Sequence, residues 1–488
     1  MANSYKDVFK GTAIFGGTQI IQVLVGLIRA KLVSVLIGPK GMGVNSLYTS
    51  SLLFVQTFSG LGLKDSSVRS IAVASTGDPK LLARRLSVIN RCFYFSYALG
   101  VLVTLLLSPI LSQLSFKCLD YTINYGFLSL YILFQLQYQY YIAILQGFRK
   151  LKKLALVSVI NSIVGVLLSG VLYYCWGIEG IVANLILTSF VCMLCVRIPV
   201  ARMKLPSVKL TFKESFVEGR EMIYMGIVLT ISVLIGTGVN YSINSIISHF
   251  GSVEDIGYYQ AALNITTQSI SLIFAAMTAD YYPRLAQVCH NRDEMVLTVN
   301  RQAEVLLNLG IPILATMIVF SGVVIKILLT KEFMVIDMVI KLLCLGSLIQ
   351  IFSYPIGNIS FAKGDKKFFF IFEAIIGSSL RLVLYSIGYI FGGLLGLALS
   401  VIATNITYLL IVLIATKQKY DYVVSRDMIC YIVITLPIFI ILILLSNLCN
   451  AWISYSLQSL VLLLLVIYHI WTLENKVGVI KFLLSKIK

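Results

Sequence analysis

The apolar residues of this chain come in long runs, and the length of those runs decides the fold class. A membrane-crossing α-helix needs about 20 mostly apolar residues. Fourteen such segments can be marked, near 11–37, 41–63, 92–114, 124–146, 154–175, 180–200, 221–249, 256–283, 305–328, 334–361, 368–391, 393–416, 428–448 and 452–472. The alternating segments of a membrane β-barrel, about ten residues each, are too short to match them. Charged residues make up 12% of the chain, about half the share in a soluble domain. The sequence therefore predicts an all-α membrane protein of about 14 transmembrane helices. The first run lacks a small-residue cleavage site and reads as an uncleaved signal anchor.

The formal charge is +18. In a soluble chain that balance suggests nucleic acid. Here the basic residues occupy short segments between apolar runs, the positive-inside pattern, and no nucleic-acid partner is expected. With a cytoplasmic N-terminus and strict alternation, the inner side collects Lys6 and Lys10, the 64–91 and 149–153 clusters, and 202–220. It also takes Arg284 to Arg301, Lys363 to Lys367, Lys417 to Arg426 and the basic tail from Lys476. The outer loops hold Lys40, Lys117 and Lys331. A miscounted helix would scramble this order. The bias thus supports the count and places both termini in the cytoplasm of an inner-membrane protein.

The chain also repeats. Gly38 to Gly43 is echoed by Gly251 to Gly257, Lys152-Lys153 by Lys366-Lys367, and Gly177-x-x-Gly180 by Gly393-x-x-Gly396, at offsets of 213–216 residues. An offset of six helices keeps both halves in one orientation, which implies two pseudo-symmetric six-helix lobes related by an axis along the membrane normal. The expected division is 1–205, 206–417, and an appendage of two helices and tail over 418–488.

No Walker loop, H-E-x-x-H or large extramembrane segment is present, and His249, His290 and His469 are scattered. No catalytic residue, metal or cofactor is expected. Cys192 and Cys195 form a C-x-x-C inside an apolar helix, where cysteine serves as a small hydrophobe. Charges inside helices carry more information, because each is costly unless it faces protein or water. Arg29 reads as facing a cavity, and Lys31 as either joining it or snorkelling. Arg381 lies about 21 Å along the eleventh helix from Lys367, and Glu373 is two turns from it, too far to pair directly. Lys326 and Lys341 read as snorkellers, with Asp337 in position to pair with Lys341. Intramembrane cations suit an anionic cargo such as a phosphate. Gln135, Gln139, Gln146, Asn240, Tyr241, Asn244, Tyr258, Gln260 and Asn264 could hydrogen-bond sugar hydroxyls. They could equally be interhelical glue.

The stretch Arg29-Ala-Lys-Leu-Val-Ser-Val-Leu-Ile-Gly38-Pro-Lys-Gly-Met-Gly43 resembles the start of the multidrug/oligosaccharidyl-lipid/polysaccharide exporter superfamily. With Leu61-Gly62-Leu63 and the basic segment that follows, it is most similar to the polysaccharide branch, the O-antigen and common-antigen flippases. The resemblance implies a V-shaped central cavity. It also implies a polyprenyl-diphosphate-linked oligosaccharide, an O-antigen or similar surface-glycan unit of lipopolysaccharide type, moved to the outer leaflet by alternating access. Lys31 falls where common-antigen flippases have a lysine, and Arg29 where lipid II flippases have an arginine. Arg29, Lys31 and Arg381 are then the expected diphosphate ligands. Gln135, Gln139, Asn240, Asn244, Tyr258 and Asn264 are the expected sugar ligands, and Glu373 a coupling carboxyl. Partners would be the lipid bilayer and the glycan polymerase with its chain-length machinery. The alternatives are a multidrug or small-solute exporter of the same fold, and a non-transporting scaffold. Drug exporters of this superfamily carry an acidic residue in the first helix, and this chain has none over 11–37.

Overall fold

In lipid every backbone N–H and C=O must find a partner, and an α-helix supplies all of them within one segment. The computed structural model describes residues 2–75, 78–206, 208, 210–446 and 451–477, and all regular elements among them are helical. In chain order they are α1 (Ala2–Gly60), α2 (Leu63–Ala74), α3 (Pro79–Phe116), α4 (Thr122–Gly147), α5 (Leu151–Trp176), α6 (Gly180–Ala201) and α7 (Phe212–Phe250). There follow α8 (Val253–Val288), α9 (Arg292–Leu328), α10 (Asp337–Ala362), α11 (Lys366–Phe369), α12 (Ser378–Tyr420), α13 (Arg426–Leu445) and α14 (Ala451–Val477). A π-helical stretch, Phe370–Gly377, joins α11 to α12. The basic tail beyond residue 477 lies outside the described residues.

Among the described residues, nine helical runs are long and apolar enough to cross a membrane. Three of these are double: Gly17–Gly60 breaks at Gly38, Leu151–Ala201 joins α5 to α6, and Lys366–Tyr420 breaks at Gly393. The helices α4 and α8, of 26 and 36 residues, have the length but are more polar. With them the fourteen expected spans are complete.

The breaks have a backbone cause. Gly38 sits at φ 60°, ψ −167° and Gly393 at φ 56°, ψ −144°, a region essentially closed to residues with a Cβ. Gly177, the repeat counterpart of Gly393, adopts φ 55°, ψ −131°. Neither Gly177 nor Gly393 has an atom within 4 Å of where a Cβ would sit. Glycine is needed there for conformation, not for space.

The chain forms two compact units, Met1–Gly257 and Tyr258–Lys488. In the first, Tyr48, Leu52, Phe93 and Tyr125 are core residues buried to within 1%. The Tyr125 hydroxyl lies 3.0 Å from Ser51 Oγ and 2.9 Å from Ser115 Oγ, and Ser115 Oγ lies 3.0 Å from the Tyr241 hydroxyl. This buried network ties α1, α3, α4 and α7 together. Near the other end of α7, Arg84 on α3 pairs with Glu218. The backbone at Leu61-Gly62 meets Gly226 so closely that a Cβ on either glycine would run into the other segment's carbonyl oxygen. Two glycines thus let α7 lie directly on the α1–α2 junction.

In the second unit α10 is the most deeply buried of the apolar spans, 78% inside the structure. Tyr281 donates to the Pro355 carbonyl at 2.9 Å. Lys341 does not snorkel. It is 7% exposed and pairs with Asp337 at 2.6 Å, while Ser321 donates to the same carboxylate at 2.5 Å. A neutralised, hydrogen-bonded charge can remain inside where a lone one could not.

Candidate functional site

Polar side chains inside a membrane bundle either satisfy one another or face a cavity. In the first unit many of them converge on one chamber of about 400 Å³. Its walls are the two arms of α1 (Thr18, Gln19, Gln22 and Gln56), the start of α2 (Lys64), α4 and α5. The fourth helix supplies Gln135, Tyr138, Gln139, Ile142 and Gln146, and the fifth Leu154, Ala155 and Ser158. The spacing of Gln135, Gln139 and Gln146 keeps them on one helical face. Tyr138 is held from behind by Asn161, whose amide donates to its hydroxyl at 3.2 Å. Six glutamines offer both donors and acceptors. Lys64 is the one ionised side chain among the described lining residues.

Arg29 borders this chamber through α4. Gln135 is hydrogen-bonded to Tyr131 one turn away, and the Arg29 guanidinium acts electrostatically on Tyr131, Tyr173 and Cys192. Gly165 leaves it room, with Arg29 Nη1 3.7 Å from where a Cβ would stand. Among the described residues no carboxylate or hydrogen-bond acceptor is paired with Arg29. The cation therefore sits between α1, α4, α5 and α6 with no counter-charge among the described residues.

The other sequence candidates of this unit lie elsewhere. Lys31 lines a separate apolar groove of about 540 Å³ with Ile28, Leu32, Val35, Leu36, Gly170 and Tyr174. Asn240 is exposed on α7, and Asn244 is buried and donates to Ser50 at 3.1 Å. Lys64, Gln19, Gln22, Gln56 and Tyr131 were absent from the sequence candidates. The one signal for them was the recurrence of glutamine in otherwise apolar spans.

In the second unit, Tyr258 packs edge-on against Phe333, with ring centroids 5.5 Å apart, and Asn264 is exposed on α8. Glu373 lies in the π-helical stretch and accepts a hydrogen bond from Tyr408 at 2.5 Å. Its carboxylate occupies the place a side chain at residue 357 would take, since a Cβ on Gly357 would stand 2.7 Å from Oε1. Arg381 is exposed on the surface of its own unit and has no ion-pair partner among the described residues. The expected separation of Glu373 from Arg381 agrees with this.

Residues 32–338 match the sequence profile of the family described as polysaccharide biosynthesis protein. The chain belongs to the polysaccharide biosynthesis protein family. It is 23% identical over 406 residues to the lipid III flippases of Escherichia coli (strain K12) and Shigella flexneri, matching 80% of this chain and 93% of each relative. Its fold is that of lipid II flippase MurJ in an inward closed conformation, with a TM-score of 0.73 at 15% identity over 96% of this chain and 99% of that one. A multidrug resistance MATE family transporter of the MOP superfamily, inward-facing, aligns with a TM-score of 0.70 at 16% identity over 82% and 94% of the two chains. The family match begins at residue 32. It therefore covers Gln56, Lys64 and the chamber's α4 and α5 walls, while Gln19, Gln22 and Arg29 precede it.

Proposed function

We propose that this protein is a flippase for a polyprenyl-diphosphate-linked oligosaccharide, an O-antigen-like surface-glycan unit, carried from the cytoplasmic to the periplasmic leaflet of the bacterial inner membrane. The observation that carries the proposal is the amide-lined chamber within membrane-spanning helices. Gln56 is 8% exposed and, like Gln139, has no protein hydrogen-bond partner among the described residues. Amides that face a chamber without a protein partner keep both donors and acceptors to offer, so such a lining fits a hydroxyl-rich guest. Arg29, with no counter-charge among the described residues, fits the diphosphate, and Arg381 and Lys31 are proposed to share that role along the path. Gln135 and Gln139 are proposed sugar ligands, with Asn240, Asn244, Tyr258 and Asn264 as further polar contacts. Two six-helix lobes, 1–205 and 206–417, would alternate access, with both termini cytoplasmic. The lipid III flippases support the cargo class, and a glycan polymerase with its chain-length machinery is the proposed downstream partner.

The test is deletion of the gene. The lipid-linked oligosaccharide should accumulate on the cytoplasmic leaflet and surface glycan should fall. Unchanged surface glycan would remove the proposal. The MATE-type fold supports a second reading, export of a multidrug or small-solute cargo, and drug accumulation in the same deletion strain would favour it.

A further inference from the structure

We propose that the cleft between α13 and α14 holds one membrane phospholipid whose headgroup ends in a primary ammonium. Both helices pack on α9, and neither lines the glutamine chamber. They meet at the ends nearest the loop that joins them. There Gln458 donates to the Leu442 carbonyl at 3.0 Å and Ser454 to the Leu445 carbonyl at 2.8 Å. Away from that junction a groove of about 630 Å³ opens between them. Its walls run from Asp427 to Ile438 on α13 and from Thr472 back to Val461 on α14. Eleven residues on each helix make a groove about 16 Å long. One leaflet is about 15 Å deep, half of the roughly 30 Å hydrocarbon core.

The groove is polar at one end and apolar at the other. Asp427, Tyr468, His469 and Thr472 line the end at the start of α13, which is cytoplasmic in the topology proposed above. Ile438, Val461 and Leu464 line the deep end. That gradient matches a lipid standing in its own leaflet, headgroup at the mouth and acyl chain below. His469 sets the headgroup chemistry. The Asn308 amide on α9 donates to the Glu304 carbonyl at 2.9 Å, which turns its own carbonyl oxygen toward the imidazole. His469 Nδ1 lies 2.8 Å from that oxygen. Nδ1 therefore carries the proton, and Nε2 of the neutral ring is an acceptor. The ring is 3% exposed and stacked on Tyr431, with centroids 6.1 Å apart, and Nε2 has no partner among the described residues. Asp427 adds a carboxylate at the mouth, and no lysine or arginine lines the described groove. Acceptors with negative charge favour a cationic N–H donor through a charge-assisted hydrogen bond. They disfavour a headgroup whose only charge is a phosphate. A few placed polar groups in a mostly apolar cleft are the usual makeup of a ligand site.

The test uses the purified full-length chain in detergent and native mass spectrometry with four added probes. These are dioleoyl phosphatidylethanolamine, its choline counterpart, its glycerol counterpart and a polyprenyl phosphate. The choline lipid keeps the cationic charge and both acyl chains but has no N–H to donate. The wild type should hold the ethanolamine lipid about tenfold more tightly than the choline lipid. His469→Phe should abolish that difference while leaving the choline lipid within about twofold of its wild-type affinity. Asp427→Asn changes an exposed residue, so its fold is secure even if His469→Phe proves unstable. It should narrow the preference about threefold. Equal affinities for the two lipids in the wild type, or a preference untouched by the variants that fold, would overturn the proposal. Tighter binding of the glycerol lipid than of the ethanolamine lipid would overturn it as well. Displacement of the ethanolamine lipid by polyprenyl phosphate at equal concentration would also do so, giving the groove to the cargo's tail.

Discussion

The Tyr408 hydroxyl donates to Glu373 Oε1 at 2.5 Å, and it reaches that carboxylate across a helix face kept clear by Gly357. An acid in an apolar span has thereby gained a specific partner from the next span. A π-helical stretch presents it, a distortion frequent at functional sites.

The arrangement bears on the driving force. A carboxyl in a membrane helix can carry a proton. The proposed cargo carries about one to two negative charges, each favoured outward by about 2.3 kcal/mol per 100 mV. In proteoliposomes a potassium-diffusion potential, negative inside, is expected to speed translocation, and Glu373→Gln and Tyr408→Phe are expected to keep that response. Stimulation by a pH step alone, lost in Glu373→Gln, would instead make the protein a proton-coupled antiporter.

Arg29 and Arg381 have no ion-pair partners to lose among the described residues. Arg29→Ala and Arg381→Ala should therefore leave the fold intact and lower flipping by about tenfold each. Lys31→Ala should matter less, because its side chain lines an apolar groove. Surface-glycan level at matched expression is the readout. Normal glycan from the double arginine variant would sink the cationic path.

Gly393 and Gly126 both have open space where a Cβ would go, and only Gly393 has a positive φ. Gly393→Ala should destabilise by about 1–3 kcal/mol. Gly126→Ala, inside α4, should be neutral or stabilising by up to about 1 kcal/mol. Thermal retention of the monodisperse peak in detergent compares the two.

Asp365 precedes α11. The Lys419 ammonium at 2.5 Å, then the Phe368 N–H and the Tyr420 hydroxyl, hold its carboxyl below the usual carboxylate range. A value depressed in the folded state means stabilisation that is present above the unfolded pKa and lost as pH falls through the folded one. The advantage of wild type over Asp365→Asn should thus shrink as pH drops below about 4. It should also shrink with added salt, because the pair is partly exposed. An advantage unchanged from pH 6 to pH 3 would contradict the assignment.

Much of the fold was legible because lipid punishes ambiguity. Run length marks spans almost without regard to packing, so even the more polar α4 and α8 were read as runs at 124–146 and 256–283, and the basic loops then supported the count. The site was harder. Arg29 announces itself, because a guanidinium in an apolar run has few places to be. Lys64 does not, since a lysine near a span's end is what the charge rule expects anywhere. Asn244 and Gln139 look alike in sequence, yet one is buried against Ser50 and the other faces the chamber. Only the rotation of each helix about its axis separates them, and periodicity fixes that poorly where both faces are apolar. The contact of Gly62 with Gly226 was illegible for a similar reason: a backbone contact leaves no side-chain pattern to read.

The break at Gly38 has a mechanical side. Gln22 and Gln56 lie 16 and 18 positions from it on the two arms of α1, and both line the chamber. At 1.5 Å per residue each amide is about 25 Å from the pivot. A change of about 5° in the angle between the arms then alters the spacing of those amides by roughly 2 Å, most of a hydrogen-bond length. The chamber sits at the long end of a pair of tongs. The spacing of its amides follows the angle at a glycine that does not line it.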